Sequence, residues 1–156
     1  MAAVCSGSYA CNSCTGKKNK SQDMEVAGEQ ADITRTGKTG GRQSELKNEK
    51  MRSYEFLRDM YIDGYFPNHL VDKCKDVLVD LCMEIEEKNP QTLDELYVLT
   101  HATTDRFNDM QQEFYENNSE IETAAREAIG MDIYNIAEAY GFGNADVEEL
   151  IATRDW

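Results

Sequence analysis

The fold is decided by the stretch LVDKCKDVLVDLCMEI at residues 70–85. Its apolar residues recur three or four positions apart, which places them along one face of an α-helix, with aspartates on the opposite face. We predict that this amphipathic helix runs from Pro67 to about Lys88, because proline suits the first turn of a helix and the dipeptide Asn89-Pro90 breaks the chain. The predicted buried face consists of Leu70, Cys74, Val77, Leu78, Leu81 and Ile85.

Local signals on both sides of this stretch predict further helices and no strand. A first helix is expected over Ser53–Ile62, with Ser53 as its N-cap. A third helix opens with a capping box at Thr92, and a fourth opens with another at Ser119 and ends at Gly141. A short final helix is expected to be capped by Asn144. The sequence therefore predicts an all-α fold, a small antiparallel bundle of four helices plus a short C-terminal helix.

Composition divides the chain near residue 50. Residues 1–50 carry eight Lys and Arg against six Asp and Glu, and their large apolar residues are few and scattered. Such a segment cannot bury enough apolar surface to fold, so we predict a disordered, low-complexity N-terminal tail. Residues 51–156 carry eight basic against twenty-four acidic residues, a formal charge of −16. This part is predicted to be an acidic all-α domain.

The acidity of the domain limits its partners. Nucleic acids and anionic membranes are polyanions, so direct binding to either is not expected, whereas a protein partner, especially a basic one, is favoured. The chain has no long apolar run and no recognisable secretory signal, and we expect a cytoplasmic protein. No phosphate loop or dinucleotide fingerprint is present, so no cofactor is predicted.

The five cysteines predict neither a metal site nor a disulfide. Cys5, Cys11 and Cys14 include a C-x2-C pair, but a structural zinc ion needs four ligands and the tail contains no histidine. Cys74 and Cys82 are eight positions apart on one predicted helix, about 12 Å of rise, which is too far for a disulfide. Buried, reduced thiols are the favoured interpretation.

Several segments of the predicted domain carry a family resemblance. They are Tyr54-Glu-Phe-Leu57, Tyr65-Phe-Pro67, His69–Lys73, Leu99–Thr103, Ser119–Ile129, Tyr140-Gly-Phe142 and Glu148–Trp156. With them, residues 54–156 resemble a bacterial family known only as a domain of unknown function. The resemblance implies a bacterial, cytoplasmic protein whose relatives begin near Met51. It implies no activity and no functional residues.

Four polar residues form a candidate site. Tyr97, His101 and Asp105 are spaced four apart on one flank of the third helix, so the carboxylate could orient the imidazole for acid–base work. The alternative is an ordinary pair on the helix surface. Asp132 projects into the apolar face of the fourth helix, where a carboxylate must find a cation or several hydrogen-bond donors, or else take up a proton. The candidate partners are Arg52, Arg58, Arg106, His69 and a tyrosine hydroxyl. It is either part of a site or a buried anchor that fixes the register of the helices, and no residue is predicted to be catalytic.

Three functions are compatible with these features. The first is a protein-interaction or regulatory module with an acidic face formed by Asp72, Asp76 and Asp80. The second is an enzyme or small-ligand binder in which Tyr97, His101, Asp105 and Asp132 converge on one pocket. The third is a homo-oligomeric accessory protein that associates through an apolar surface. The apolar surface of the accessory protein would comprise Tyr61, Tyr65, Phe66 and Val79. The acidic charge favours the interaction module. The sequence leaves the oligomeric state open.

Overall fold

The computed structural model describes residues 39–156, and this part of the chain is helical and contains no strand. Three long helices form the body of the fold, and four short helices of four or five residues pack around them. The predicted all-α bundle is therefore confirmed, although its number of helices differs. In chain order the helices are α1 (Thr39–Gln43), α2 (Glu49–Arg52), α3 (Arg58–Ile62), α4 (Asn68–Lys88), α5 (Leu93–Glu116), α6 (Thr123–Ala139) and α7 (Val147–Leu150).

Helix α4 lies at the centre and packs against α1, α3, α5 and α6. The prediction of its buried face is confirmed, because all six residues predicted from the apolar spacing are buried. Val71, Val79 and Cys82 are buried as well, so the buried face is wider than the predicted one. This width reflects the number of helices that surround α4, since each neighbour covers a different side.

Local signals set the ends of the long helices. Asn89 ends α4 in the left-handed conformation, with φ 47°, and Pro90 follows it. The hydroxyl of Thr92 caps α5 by accepting from the Glu95 amide. Gly141, at φ 96°, follows α6 and donates its amide to the Glu138 carbonyl, as in the common C-terminal motif that ends a helix at glycine. These boundaries agree with the prediction.

The predicted first helix is wrong over residues 53–57 and correct over Arg58–Ile62. Ser53 is the C-cap of the short helix α2 rather than an N-cap, and helix resumes only at Arg58. Between them the backbone turns inward at Leu57, whose φ of 54° is left-handed. Phe56 and Leu57 are both buried, and the Leu57 amide donates to the Asp132 carboxylate of α6, a contact that helps to hold this turn.

Two predicted N-caps are also wrong. Helix α6 begins at Thr123 rather than next to Ser119, whose backbone amide donates instead to the Phe114 carbonyl at the end of α5. The final helix is capped by Asp146, whose carboxylate accepts from the amides of Glu148 and Glu149, rather than by Asn144. Neither Ser119 nor Asn144 caps a helix, and within residues 39–156 the Ser119 hydroxyl has no hydrogen-bond partner.

The predicted boundary near residue 50 lies inside the packed structure. Leu46 is 2% exposed and belongs to the core, and the buried side chain of Gln43 donates to the carbonyls of Met51 and Tyr54. The Glu86 carboxylate of α4 accepts from the amides of Lys47 and Asn48 at 2.9 and 3.0 Å. Polar contacts thus hold a segment that has too few apolar residues to be recognised as folded. Residues 1–38, including Cys5, Cys11 and Cys14, lie outside the described part, so the prediction of a disordered tail stays a prediction.

Candidate functional site

An open groove of about 880 Å³ lies between the segment around α2 and α3 and one side of α6. We call it the Asp132 groove. Its walls combine the exposed side of α6 with charged residues of α2, of α3 and of the chain between them. The residues that define it are Lys50, Ser53, Tyr54, Glu55, Leu57, Arg58, Asp59, Ala124, Glu127, Ala128, Met131, Asp132 and Asn135.

Asp132 lies at the floor of the groove and is 7% exposed. Its two carboxylate oxygens accept from the Tyr54 hydroxyl at 2.8 Å and from the Leu57 amide at 2.7 Å. The Tyr54 hydroxyl in turn accepts from Nδ2 of Asn135 at 2.8 Å. The carboxylate therefore joins α6 to the non-helical segment before α3, as expected for a buried anchor, and it also lines the groove.

Burial raises the pKa of the Asp132 carboxyl to about 6. The hydrogen bonds from Tyr54 and Leu57 oppose this shift because they favour the ionised form, whereas the nearby carboxylate of Asp59 adds to it. Burial and the neighbouring Asp132 also raise the pKa of the Tyr54 hydroxyl, which stays protonated and remains a donor. At neutral pH the groove therefore holds an ionised but poorly solvated carboxylate.

The other three residues of the predicted polar site do not line this groove. The His101 ring stacks on Tyr97, with ring centres 6.0 Å apart, and its Nε2 lies 2.7 Å from the Glu149 carbonyl oxygen, so this nitrogen acts as the donor. The Thr153 hydroxyl donates to the His101 carbonyl. Asp105 is exposed on the same helix. The structure thus brings Tyr97 and His101 together against the C-terminal segment, whereas Asp132 has a different set of partners.

Two of the three aspartates of the predicted acidic face make contacts within the described residues. Asp80 forms ion pairs with Arg42 and with Arg106, the second at 2.7 Å. Asp72 is exposed and accepts from the Tyr61 hydroxyl at 2.6 Å. Asp76 is half-buried, and one of its oxygens has no hydrogen-bond partner within residues 39–156. Asp80 is therefore paired within the chain, and the predicted interaction face stays a prediction.

The predicted apolar association surface is not continuous. Val79 and Phe66 are fully buried, and Tyr61 is half-buried, so only Tyr65 of the four is exposed. Val79 was placed outside the buried face because it departs from the main apolar spacing of α4, but α4 is covered on several sides. Large apolar side chains are exposed elsewhere, at Ile62, Val98, Tyr115 and Met131.

The sequence identified Asp132, and a tyrosine hydroxyl among its possible partners, but not the rest of its surroundings. Within residues 39–156 the hydrogen bonds of Asp132 come from Tyr54 and the Leu57 amide, and none of the candidate arginines and histidines contributes one. The prediction places Tyr54 in a helix, and the left-handed Leu57 has no local signal because neither glycine nor asparagine occupies that position. The groove depends on residues far apart in the chain, and periodicity within one helix does not reveal it.

None of the helices within residues 39–156 is both long and apolar enough to cross a membrane. In the same residues, no three or more His, Cys, Asp or Glu side chains are grouped as metal ligands. Cys74 and Cys82 are buried free thiols, and burial raises the pKa of each to about 12.

Comparison with known proteins gave one match. A family model described as a family of unknown function (DUF5713) matches residues 50–156. No curated protein and no solved structure matches the chain. Arg42, which forms an ion pair with Asp80, lies eight residues before the start of the match. Part of the packed N-terminal segment therefore precedes the matched residues. The matched residues form more than half of the sequence, and the chain therefore belongs to the DUF5713 family.

Proposed function

We propose that the protein is a binding module that recognises a partner protein through the Asp132 groove. The observation that carries this proposal is an open groove with a buried carboxylate at its floor and, on its wall, a methionine that is 49% exposed. Concave sites that combine apolar surface with a few placed polar groups are typical of binding sites. Methionine adds adaptable contact surface, because its flexible thioether chain conforms to differently shaped partners.

The backbone at the groove supports the same proposal. Leu57 lines the groove, and its left-handed conformation is rare for a residue with a branched side chain. Such a conformation costs of the order of 1–3 kcal/mol and is found most often where a functional site needs it. Here the Leu57 amide is directed at the Asp132 carboxylate and the side chain enters the core, so the strained residue joins the groove to the interior.

The geometry gives less support to catalysis. Acid–base catalysis by a pair of groups at Asp132 would require a second proton-transfer group within hydrogen-bonding distance. Its side-chain partner is Tyr54, whose raised pKa keeps the hydroxyl protonated and makes it a poor proton donor in catalysis. His101, the residue expected to act with Asp132, does not line the groove. The proposal therefore rests on binding rather than on turnover.

Affinity capture with matched variants tests the proposal. The full chain is used as bait in an extract of its native cells, together with Met131→Lys, which replaces apolar surface on the groove wall with a positive charge. Tyr115→Lys is the control, because Tyr115 is 68% exposed and does not line the groove. We expect a specific partner to be retained by the wild type and by Tyr115→Lys and to be lost with Met131→Lys.

Retention of the same partner by all three baits would contradict the proposal and place the binding surface elsewhere. The molar mass of the purified chain in solution is measured in parallel. If the wild type forms a dimer that only Met131→Lys dissociates, then the groove binds a second copy of the chain, and the proposal of a different partner is wrong.

A further inference from the structure

We infer that the Asp132 groove receives a lysine or arginine side chain of the partner protein, an inference that rests on the function proposed above. It follows from three features of the groove: its unpaired charge, the position of its deepest carboxylate and the apolar surface that leads to it.

The groove has an excess of unpaired negative charge. Its two basic residues are already engaged, because Lys50 pairs with Glu138 at 2.7 Å and Arg58 lies 3.6 Å from Glu55. Within residues 39–156, none of the three remaining carboxylates forms an ion pair. A cation that enters the groove would therefore meet carboxylates that no basic side chain neutralises; they belong to Asp59, Glu127 and Asp132.

The deepest carboxylate is placed to bind a cation at the end of a long side chain. Asp132 is buried at the floor, whereas Asp59 and Glu127 are exposed around it. Asp59 is close enough to raise the pKa of Asp132, so the two carboxylates repel each other in the free protein. An ammonium or guanidinium group near both would replace this repulsion with attraction.

The wall of the groove provides surface for an aliphatic chain. Ala124, Ala128 and Met131 are four and three positions apart on α6, so they form one stripe along the helix, and all three line the groove. Lysine and arginine place their methylene groups along apolar surface while the charged end reaches polar groups. An apolar wall that leads to a buried carboxylate fits this type of side chain better than it fits a compact inorganic cation.

Peptide binding tests the inference directly. The full chain, labelled with 15N, is titrated with the capped tripeptides Gly-Lys-Gly and Gly-Arg-Gly and with the matching norleucine peptide, which retains the alkyl chain and lacks the charge. We expect the two basic peptides to shift amide resonances of residues 124–135, and the norleucine peptide to bind on the order of tenfold more weakly. Added salt should weaken the binding of the two basic peptides and leave the binding of the norleucine peptide unchanged.

Variants connect the binding to the named carboxylates. Asp132→Asn should lower the affinity for the lysine peptide by on the order of tenfold. Because this change also removes a structural anchor, Glu127→Gln provides a second variant at an exposed position, and a loss of a few-fold is expected there. Asp105→Asn is the control, since Asp105 is exposed outside the groove, and it should bind like the wild type.

Equal binding of the lysine and norleucine peptides, or shifts outside the groove, would overturn the inference. Tighter binding of free 1,5-diaminopentane than of the lysine peptide would also overturn it, because the occupant would then be a small amine rather than a protein side chain. Failure of the proposed function has a different result: the lysine peptide binds in the groove, but Met131→Lys still captures the partner. If Met131→Lys loses the partner while no basic peptide binds, the proposed function stands and the inference is wrong.

Discussion

Replacing Tyr54 with phenylalanine removes one hydroxyl group and two hydrogen bonds. The hydroxyl donates to Asp132 at 2.8 Å and accepts from Asn135 at 2.8 Å. A hydrogen bond to a charged group contributes about 1.5–3 kcal/mol, and one between neutral groups about 0.5–1.5 kcal/mol. The cost of Tyr54→Phe in free energy of unfolding should therefore depend on whether Asp132 is ionised.

The direction of the pH dependence follows from the pKa of Asp132. Burial raises this pKa from 3.8 to about 6, and the Tyr54 hydrogen bond partly opposes the rise. Removing the hydroxyl should raise the pKa further, so the variant binds a proton at Asp132 at a higher pH than the wild type. The cost of the substitution is therefore fully present above both folded-state pKa values and decreases as the pH falls through them, by about 1 kcal/mol.

Urea unfolding, followed by circular dichroism at about pH 8 and about pH 5, measures this difference. Tyr134→Phe is the matched control, because its exposed hydroxyl donates to the Gly143 carbonyl at 3.2 Å and touches no carboxylate. Its cost should be small and equal at the two pH values. If Tyr54→Phe costs the same at both, then Tyr54 does not bind an ionised Asp132, and the account of the groove floor is refuted.

Three further predictions concern the rest of the domain. A chain that starts at residue 51 should have a free energy of unfolding about 2–5 kcal/mol lower than the full chain in urea unfolding, because it loses the buried Leu46 and the polar contacts of the segment around it. Equal stability of the two chains would show that this segment is not part of the fold. His101→Ala should cost about 1–2 kcal/mol and speed amide hydrogen exchange in α7, since the Nε2 bond to the Glu149 carbonyl is lost; unchanged exchange would contradict a structural role. Cys74 and Cys82 should resist alkylation by iodoacetamide until urea unfolds the chain, because burial raises the pKa of both thiols. Mass mapping measures the alkylation, and label on either cysteine in the native protein would contradict this prediction.

Elements with strong local signals could be predicted from the sequence. The apolar spacing of α4, the capping threonine of α5 and the glycine after α6 each involve residues within a few positions of one another. Because helical hydrogen bonds join residues four apart, such signals do not depend on the rest of the molecule. The burial of Asp132 could also be predicted, since its position among apolar residues of one helix determines which side it faces.

The sequence offered a tyrosine hydroxyl among several candidate partners of Asp132, but it identified neither Tyr54 nor the Leu57 amide. The carboxylate binds Tyr54 and the Leu57 amide, which are 78 and 75 positions away, and the bond to Leu57 helps to hold a left-handed turn where the sequence favoured helix. A contact over such a distance forms only when the whole chain is packed, and its free energy outweighs the weak intrinsic preference of residues 53–57 for helix. The same explanation applies to the N-terminal boundary, because Glu86 on α4 binds backbone amides of a segment with almost no apolar residues.

By itself, therefore, the sequence determined the helical class, the long helices, the acidity and the presence of one carboxylate in an apolar face. The tertiary structure alone decided which residues surround that carboxylate, that an open groove lies above it, and that His101 contacts the C-terminal segment instead. The physical reason is the range of the interactions. Helix propensity, capping and amphipathic spacing act over a few residues, whereas a groove is formed by side chains that only the packing of separate segments brings together.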